Sequence, residues 1–111
     1  MSYGGADSFR GGRTMPTYIS LMNYTDHGIQ AVRQSPRRLD AAKKMLEDMG
    51  GTFREFFMTL GVCDLVLIYE APDDAISARF QLLLGSQGNV RTTTMKAFPE
   101  AAYREVIASL G

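Results

Sequence analysis

His27 is the single histidine of the chain, and an imidazole with an ordinary pKa of about 6.5 is the side chain best suited to exchange a proton near neutral pH. With Asp64 it makes a candidate catalytic pair, Asp64 being the second group able to move a proton; for His27 the alternative is a surface or capping role beside Asp26. Arg91 offers paired N–H donors in one plane, which suits the carboxylate or enolate of a small ligand, or else a salt bridge to Asp64. Asn23 brings a donor and an acceptor, and Tyr24 a phenol beside it. Asn23, Tyr24, His27 and Arg91 are therefore the candidate ligand-binding set.

Other chemistries find less support. Cys63 has no Lys, Arg or His next to it in sequence to lower its thiol pKa and reads as a small buried hydrophobe. Asp73-Asp74 suits a helix start, where free amides and the dipole favour carboxylates, more than a two-carboxylate site. Gly85-Ser86-Gln87-Gly88 follows a helix C-terminus and lacks the Gly-Lys-Ser/Thr ending of a phosphate loop. No Cys/His spacing suggests zinc and no acidic loop suggests calcium, so neither a metal nor another cofactor is expected.

The elements that must position these residues follow from periodicity. Thr17 to Tyr24 alternates as a strand, with Ile19 and Leu21 on one face and Tyr18, Met22 and Tyr24 on the other. Thr25 caps a short helical turn, and Ser35-Pro36 starts the main helix, with Ser35 as N-cap and Leu39, Ala42, Leu46 and Met49 as its apolar stripe. Gly50-Gly51 ends it. Phe53 to Leu60 and Val62 to Glu70 predict a hairpin turning at Leu60-Gly61-Val62, and the unbroken apolar run Leu65 to Ile68 predicts a strand buried on both faces. Pro72-Asp73-Asp74 opens a helix with Ile76, Phe80, Leu83 and Leu84 inward; Val90 to Phe98 is a polar strand suited to an edge; Pro99 starts a closing helix. This order is the βαββαβ pattern of a ferredoxin-like α+β fold, a four-stranded antiparallel sheet in the order 4-1-3-2 with an added C-terminal helix.

The chain has 111 residues, a one-domain length, and its 45% hydrophobic and 22% charged residues are a globular composition. Twelve basic and twelve acidic residues cancel, leaving no field to gather nucleic acid or an anionic membrane. The third strand lacks the stacking aromatics of an RNA-recognition module. No apolar stretch is long enough to span a bilayer, and one cysteine cannot pair within the chain, which together point to the cytoplasm. Residues 1–14, with two Gly-Gly pairs and no period, read as a flexible tail or leader before a domain over 15–111. Two helices cover one face of the sheet, so the apolar residues of the other face need a second surface. A second copy supplies it most simply, predicting a homodimer or higher oligomer; the alternative is that the closing helix folds over that face.

Several stretches resemble the GYD-domain family across roughly residues 16 to 108: Thr17-Tyr18-Ile19-Ser20-Leu21, Thr25-Asp26-His27-Gly28-Ile29, Arg38 to Lys43, Glu70 to Asp74 and Gly88 to Thr94. Gly61-Val62-Cys63-Asp64 keeps the glycine and aspartate that often precede that family's third strand, with Cys63 in the tyrosine's place. The resemblance implies a ferredoxin-like subunit similar to the dimeric α+β barrel proteins, and it implies no particular reaction. The expected function is a small-molecule-binding or regulatory module with a pocket between sheet and helices, its ligand unidentified. The alternatives are a cofactor-independent enzyme of the barrel oxygenase or isomerase type, in which His27 or Asp64 moves a proton, and a structural assembly subunit.

Overall fold

The structure, a computed structural model, describes residues 15–111; the tail expected over residues 1–14 lies outside the described residues. Strand β1 (Thr17–Tyr24) leads through a short helix α1 (Asp26–Gln30) and a 3-10 turn (Val32–Gln34) into α2 (Ser35–Asp48). Then come β2 (Thr52–Met58), β3 (Leu65–Glu70), α3 (Asp74–Ser86), β4 (Val90–Ala97) and α4 (Glu100–Ala108). The strands form one antiparallel sheet in the order β2-β3-β1-β4. This is the ferredoxin-like arrangement expected from the sequence, with polar β4 at an edge.

Strand alternation decides what is buried. Tyr18, Ser20 and Met22 of β1 pair with Tyr69, Leu67 and Leu65 of β3, and all six are buried on the face that the helices cover. A β-bulge at Arg54 shifts the register of β2, so Phe53 and Phe56, three apart, meet Tyr69 and Leu67, two apart, on this same face. Leu46 of α2 and Phe80 and Leu84 of α3 complete the core. The Tyr69 ring is stacked on Tyr18 at 5.3 Å between centroids and lies edge-on to Phe80 at 5.2 Å. Full burial of each such side chain contributes about 1.5–3 kcal/mol.

A chain of hydroxyls and one amide crosses this core. Thr94 donates to Ser20 at 3.0 Å, Ser20 to the Gln81 carbonyl oxygen at 3.4 Å, and the Gln81 amide to the Tyr69 oxygen at 2.8 Å. Tyr69 and Ser77 share a further bond of 2.6 Å. Buried polar groups thus have partners, without which each would cost about 1–3 kcal/mol.

Three sequence expectations about turns, helix faces and caps need correction. The connection between β2 and β3 is a loop, not a tight turn: the ladder ends at Met58 and resumes at Leu65, and Leu60 and Val62 are 98% and 94% exposed. Thr59 closes that loop, its N–H donating to the Asp64 carbonyl and its hydroxyl to the Cys63 carbonyl, so apolar residues there imitate a strand without being one. In α3 the buried stripe is Ser77, Phe80 and Leu84, while Leu83 faces outward; Ser77 is tolerated inside because Tyr69 satisfies its hydroxyl. Ser35 is already helical, with Gln34 as N-cap, and its hydroxyl is bonded to the Tyr24 phenol at 2.9 Å instead of to the helix start.

The other face of the sheet carries Ile19 and Leu21, cross-strand from Ile68 and Val66, with Met95 and Phe57 beside them. Ile19, Leu21, Val66 and Ile68 are half-buried within one chain, short of the two-sided burial expected for β3. Tyr103, Val106 and Ile107 of α4 remain 45–56% exposed, so the closing helix does not bury its apolar side on the body of the chain.

Candidate functional site

The end of β1, the start of β3 and the start of β4 lie together at one end of the sheet, as antiparallel neighbours must. Each is pinned there. β3 stops pairing before it reaches Tyr24, and the Asp64 carboxylate takes over, accepting the Tyr24 N–H at 2.9 Å while the Asp64 N–H donates to the Met22 carbonyl. This gives the aspartate of Gly61-Val62-Cys63-Asp64 a structural role as a side-chain extension of the ladder. Cys63 beside it is buried.

The segment Thr25-Asp26-His27-Gly28 is likewise a fastening. Thr25 caps α1 by accepting the Gly28 N–H at 3.0 Å; its own N–H donates to the Asn89 carbonyl at 3.1 Å and its hydroxyl to the Gly88 carbonyl at 2.6 Å. A Cβ on Gly28 would stand 1.9 Å from the Asn89 carbonyl oxygen, which no side chain allows. Arg38 of α2 holds the far side of α1, donating to the Ala31 carbonyl at 2.9 Å and the Gly28 carbonyl at 3.3 Å.

These fastenings surround a cavity of about 60 Å³ between the covered sheet face and helices α2 and α3. Its inner wall is apolar, with Leu39 and Ala42 from α2, Phe56 from β2, Leu67 from β3 and Leu84 from α3. Tyr24, Ser35, Arg38, Gln87 and Asn89 supply the polar part of the lining. Among the described residues Arg38 is the one charged side chain in it.

Of the candidate site residues, Tyr24 lines this cavity. Asn23 and Arg91 are direct cross-strand neighbours, but on the uncovered face, and both are exposed. His27 is exposed on α1, and Asp64 is half-buried with its carboxylate on the Tyr24 amide. Arg91 and Asp64 do not form the salt bridge weighed from the sequence; none of the ion pairs among the described residues includes either. Arg38 belongs to the cavity and was not singled out from sequence, although it falls within a stretch that carries the family resemblance; Asn89, which topology brings to the same end of the sheet as Arg91, lines the cavity as well. Among the described residues no group of three or more His, Cys, Asp or Glu is placed to hold a metal ion.

Among the described residues the perturbed ionisable groups sit elsewhere, around α3. Burial, and then the hydrogen bond to Asp74, push the Tyr18 phenol above its ordinary pKa. Burial likewise raises that of Tyr69, against the opposing bonds from Ser77 and Gln81. Asp74 is held below the usual carboxylate value, first by the Tyr18 hydroxyl at 2.5 Å and then by Lys96. Lys96 Nζ stands 3.1 Å from Asp74, joining β4 to the start of α3. This trio is a structural clasp at the opposite end of β1 from the cavity.

The glutamine synthetase and cystathionine beta-lyase binding protein of Thermus thermophilus is 39% identical to this chain over 88 residues, which cover 78% of this chain and 93% of that protein. No solved structure matches the chain. No helix among the described residues is long and apolar enough to cross a membrane. Residues 18–107 match the GYD domain, and with the fold, the Thr25 to Gly28 fastening and the Gly61 to Asp64 loop in place, the chain belongs to the GYD domain family.

Proposed function

We propose that the chain is a cytoplasmic regulatory module that binds another protein as a homodimer and keeps a small-molecule pocket in each subunit. The observation that carries this reading is the relative from Thermus thermophilus, alignable over 93% of its length and named for binding glutamine synthetase and cystathionine beta-lyase. An enzyme of this class as partner is the natural extension to this chain. The cavity supports binding over catalysis: its inner wall is apolar, His27 is exposed on α1, and Asp64 is engaged with a backbone amide.

The apolar sheet face supports the homodimer. Pairing two such faces would bury Ile19, Leu21, Val66 and Ile68 twice over, and a two-fold sheet-on-sheet contact is self-complementary. Asn23 and Arg91 would then lie toward the end of the interface and Tyr24 would contact the ligand, with His27 near both on α1.

Sedimentation velocity tests both associations with one purified protein. Alone, the chain is expected at twice its monomer mass, with Ile68→Glu folded by circular dichroism and monomeric. Mixed with glutamine synthetase or cystathionine beta-lyase, it is expected to move with at least one of them. A monomer at about 100 µM overturns the dimer, and separate boundaries with both enzymes at that concentration overturn the partner assignment.

A further inference from the structure

The cavity can be given a ligand chemistry. We propose that it binds a short-chain monocarboxylic acid, its hydrocarbon part between α2 and the sheet and its carboxylate on Arg38. This rests on the reading of the cavity as a ligand site and adds the class of molecule.

Size comes first. The cavity, at about 60 Å³, is well above what a single water needs, so it has room for a short chain of several non-hydrogen atoms. The inner wall of Leu39, Ala42, Phe56, Leu67 and Leu84 gives a water nothing to bond to, and apolar voids of this kind take hydrocarbon in preference to water. A short hydrocarbon chain suits that wall.

Charge comes second. Among the described residues no Asp or Glu lines the cavity and Arg38 is its single charged side chain, so the local field favours an anion. Arg38 has five N–H groups, of which two are given to the Ala31 and Gly28 carbonyls; the remaining three have no acceptor among the described residues. Those two bonds also fix the guanidinium in place, which lowers the ordering cost of receiving a carboxylate. Asn89 borders the same space, and its side chain makes no hydrogen bond within the described residues, so its amide can support a carboxylate oxygen. A cation meets like charge here, and a neutral chain leaves Arg38 unused.

Three probes of equal length separate these terms: valerate, pentan-1-ol and pentylamine, each titrated into the full chain and followed by amide chemical shifts. Valerate is expected to give saturable shifts at Leu39, Ala42, Phe56 and Leu84. Pentan-1-ol should bind about tenfold more weakly, and pentylamine not at all. Ala42→Phe, which fills the void, should abolish the valerate shifts. In Arg38→Gln the preference for valerate over pentan-1-ol should vanish, and Arg38→Lys, which keeps the charge without the fork, should retain part of it should the glutamine variant fail to fold. Equal affinity for valerate and pentan-1-ol in the unmodified chain overturns the carboxylate assignment and leaves the ligand site standing. Absence of saturable shifts with all three probes to about 50 mM removes both.

Discussion

Replacing Gly28 by alanine puts two physical effects in opposition. Gly28 has no positive φ, and within a helix an alanine at such a site ordinarily stabilises by about 0.4–1 kcal/mol, because the unfolded chain loses freedom. Here the new methyl would lie 1.9 Å from the Asn89 carbonyl oxygen and 2.8 Å from its carbon, both backbone atoms that cannot rotate away. α1 must therefore lift off the turn before β4, stretching the Thr25 bonds to Asn89 and Gly88. At about 0.5–1.5 kcal/mol per hydrogen bond, and with the Arg38 bond to the Gly28 carbonyl also displaced, the loss exceeds the gain and leaves a net destabilisation of about 2 kcal/mol. For a domain of this size that is a fall of about 8–16 °C in melting temperature, read by calorimetry or circular dichroism. Gly85→Ala is the control. It lies in α3, and beyond its own helix turn no atom among the described residues comes within 4 Å of the added methyl, so it should raise the melting temperature by a few degrees. A Gly28→Ala protein that melts at or above the unmodified one would refute the close seating of α1 on the Gly88-Asn89 turn.

Two further outcomes follow from named contacts. Asp64→Ala should cost about 1–2 kcal/mol in urea unfolding, since it leaves the Tyr24 N–H without its acceptor, whereas Asp64→Asn, which keeps a carbonyl oxygen, should cost less than half as much; equal losses would deny the ladder-extending role. The Tyr18–Asp74 clasp should show itself in pH dependence: Asp74 has its pKa lowered on folding, so its contribution is present above its unfolded value near pH 4 and is lost as pH falls through the lower folded value. Tyr18 has its pKa raised, so its contribution is present below about pH 10 and is lost as pH climbs toward the folded value. The stability gap between the unmodified chain and Tyr18→Phe should be widest near neutrality and narrow at both extremes, and a gap independent of pH would contradict the coupling.

The fold was legible because its strands differ in what they bury. Leu65 to Ile68 could sit only in the middle of a sheet, and Arg91 to Thr94 only at an edge. The site was harder for a reason that period-two geometry makes plain: Asn23 and Tyr24 are adjacent in one strand and so point to opposite faces, which puts one beside Arg91 and the other in the cavity. Helix periodicity had no means of singling out Arg38, since its acceptors at Gly28 and Ala31 are created by the folding back of α1. Thr25 meets Gly88 across 63 positions of sequence, and no local pattern announces such a meeting. Leu60 and Val62 misled in the other direction, because hydrophobicity without a paired neighbour looks the same as a strand end.

Strand β4 runs Val-Arg-Thr-Thr-Thr-Met-Lys-Ala, and its three consecutive threonines give hydrophobicity little with which to choose one alignment over another two residues away. The choice falls to polar partners. Sliding β4 one way would set Lys96 opposite Ser20, placing an ammonium among buried hydroxyls, and sliding it the other way would put Thr92 there while drawing Lys96 beyond Tyr18 and away from Asp74. The Thr94–Ser20 bond and the Lys96–Asp74 pair thus act as two teeth of a ratchet, each blocking the slip that the other would permit. What they contribute is uniqueness of pairing, at a sheet edge where a featureless strand would otherwise be free to wander.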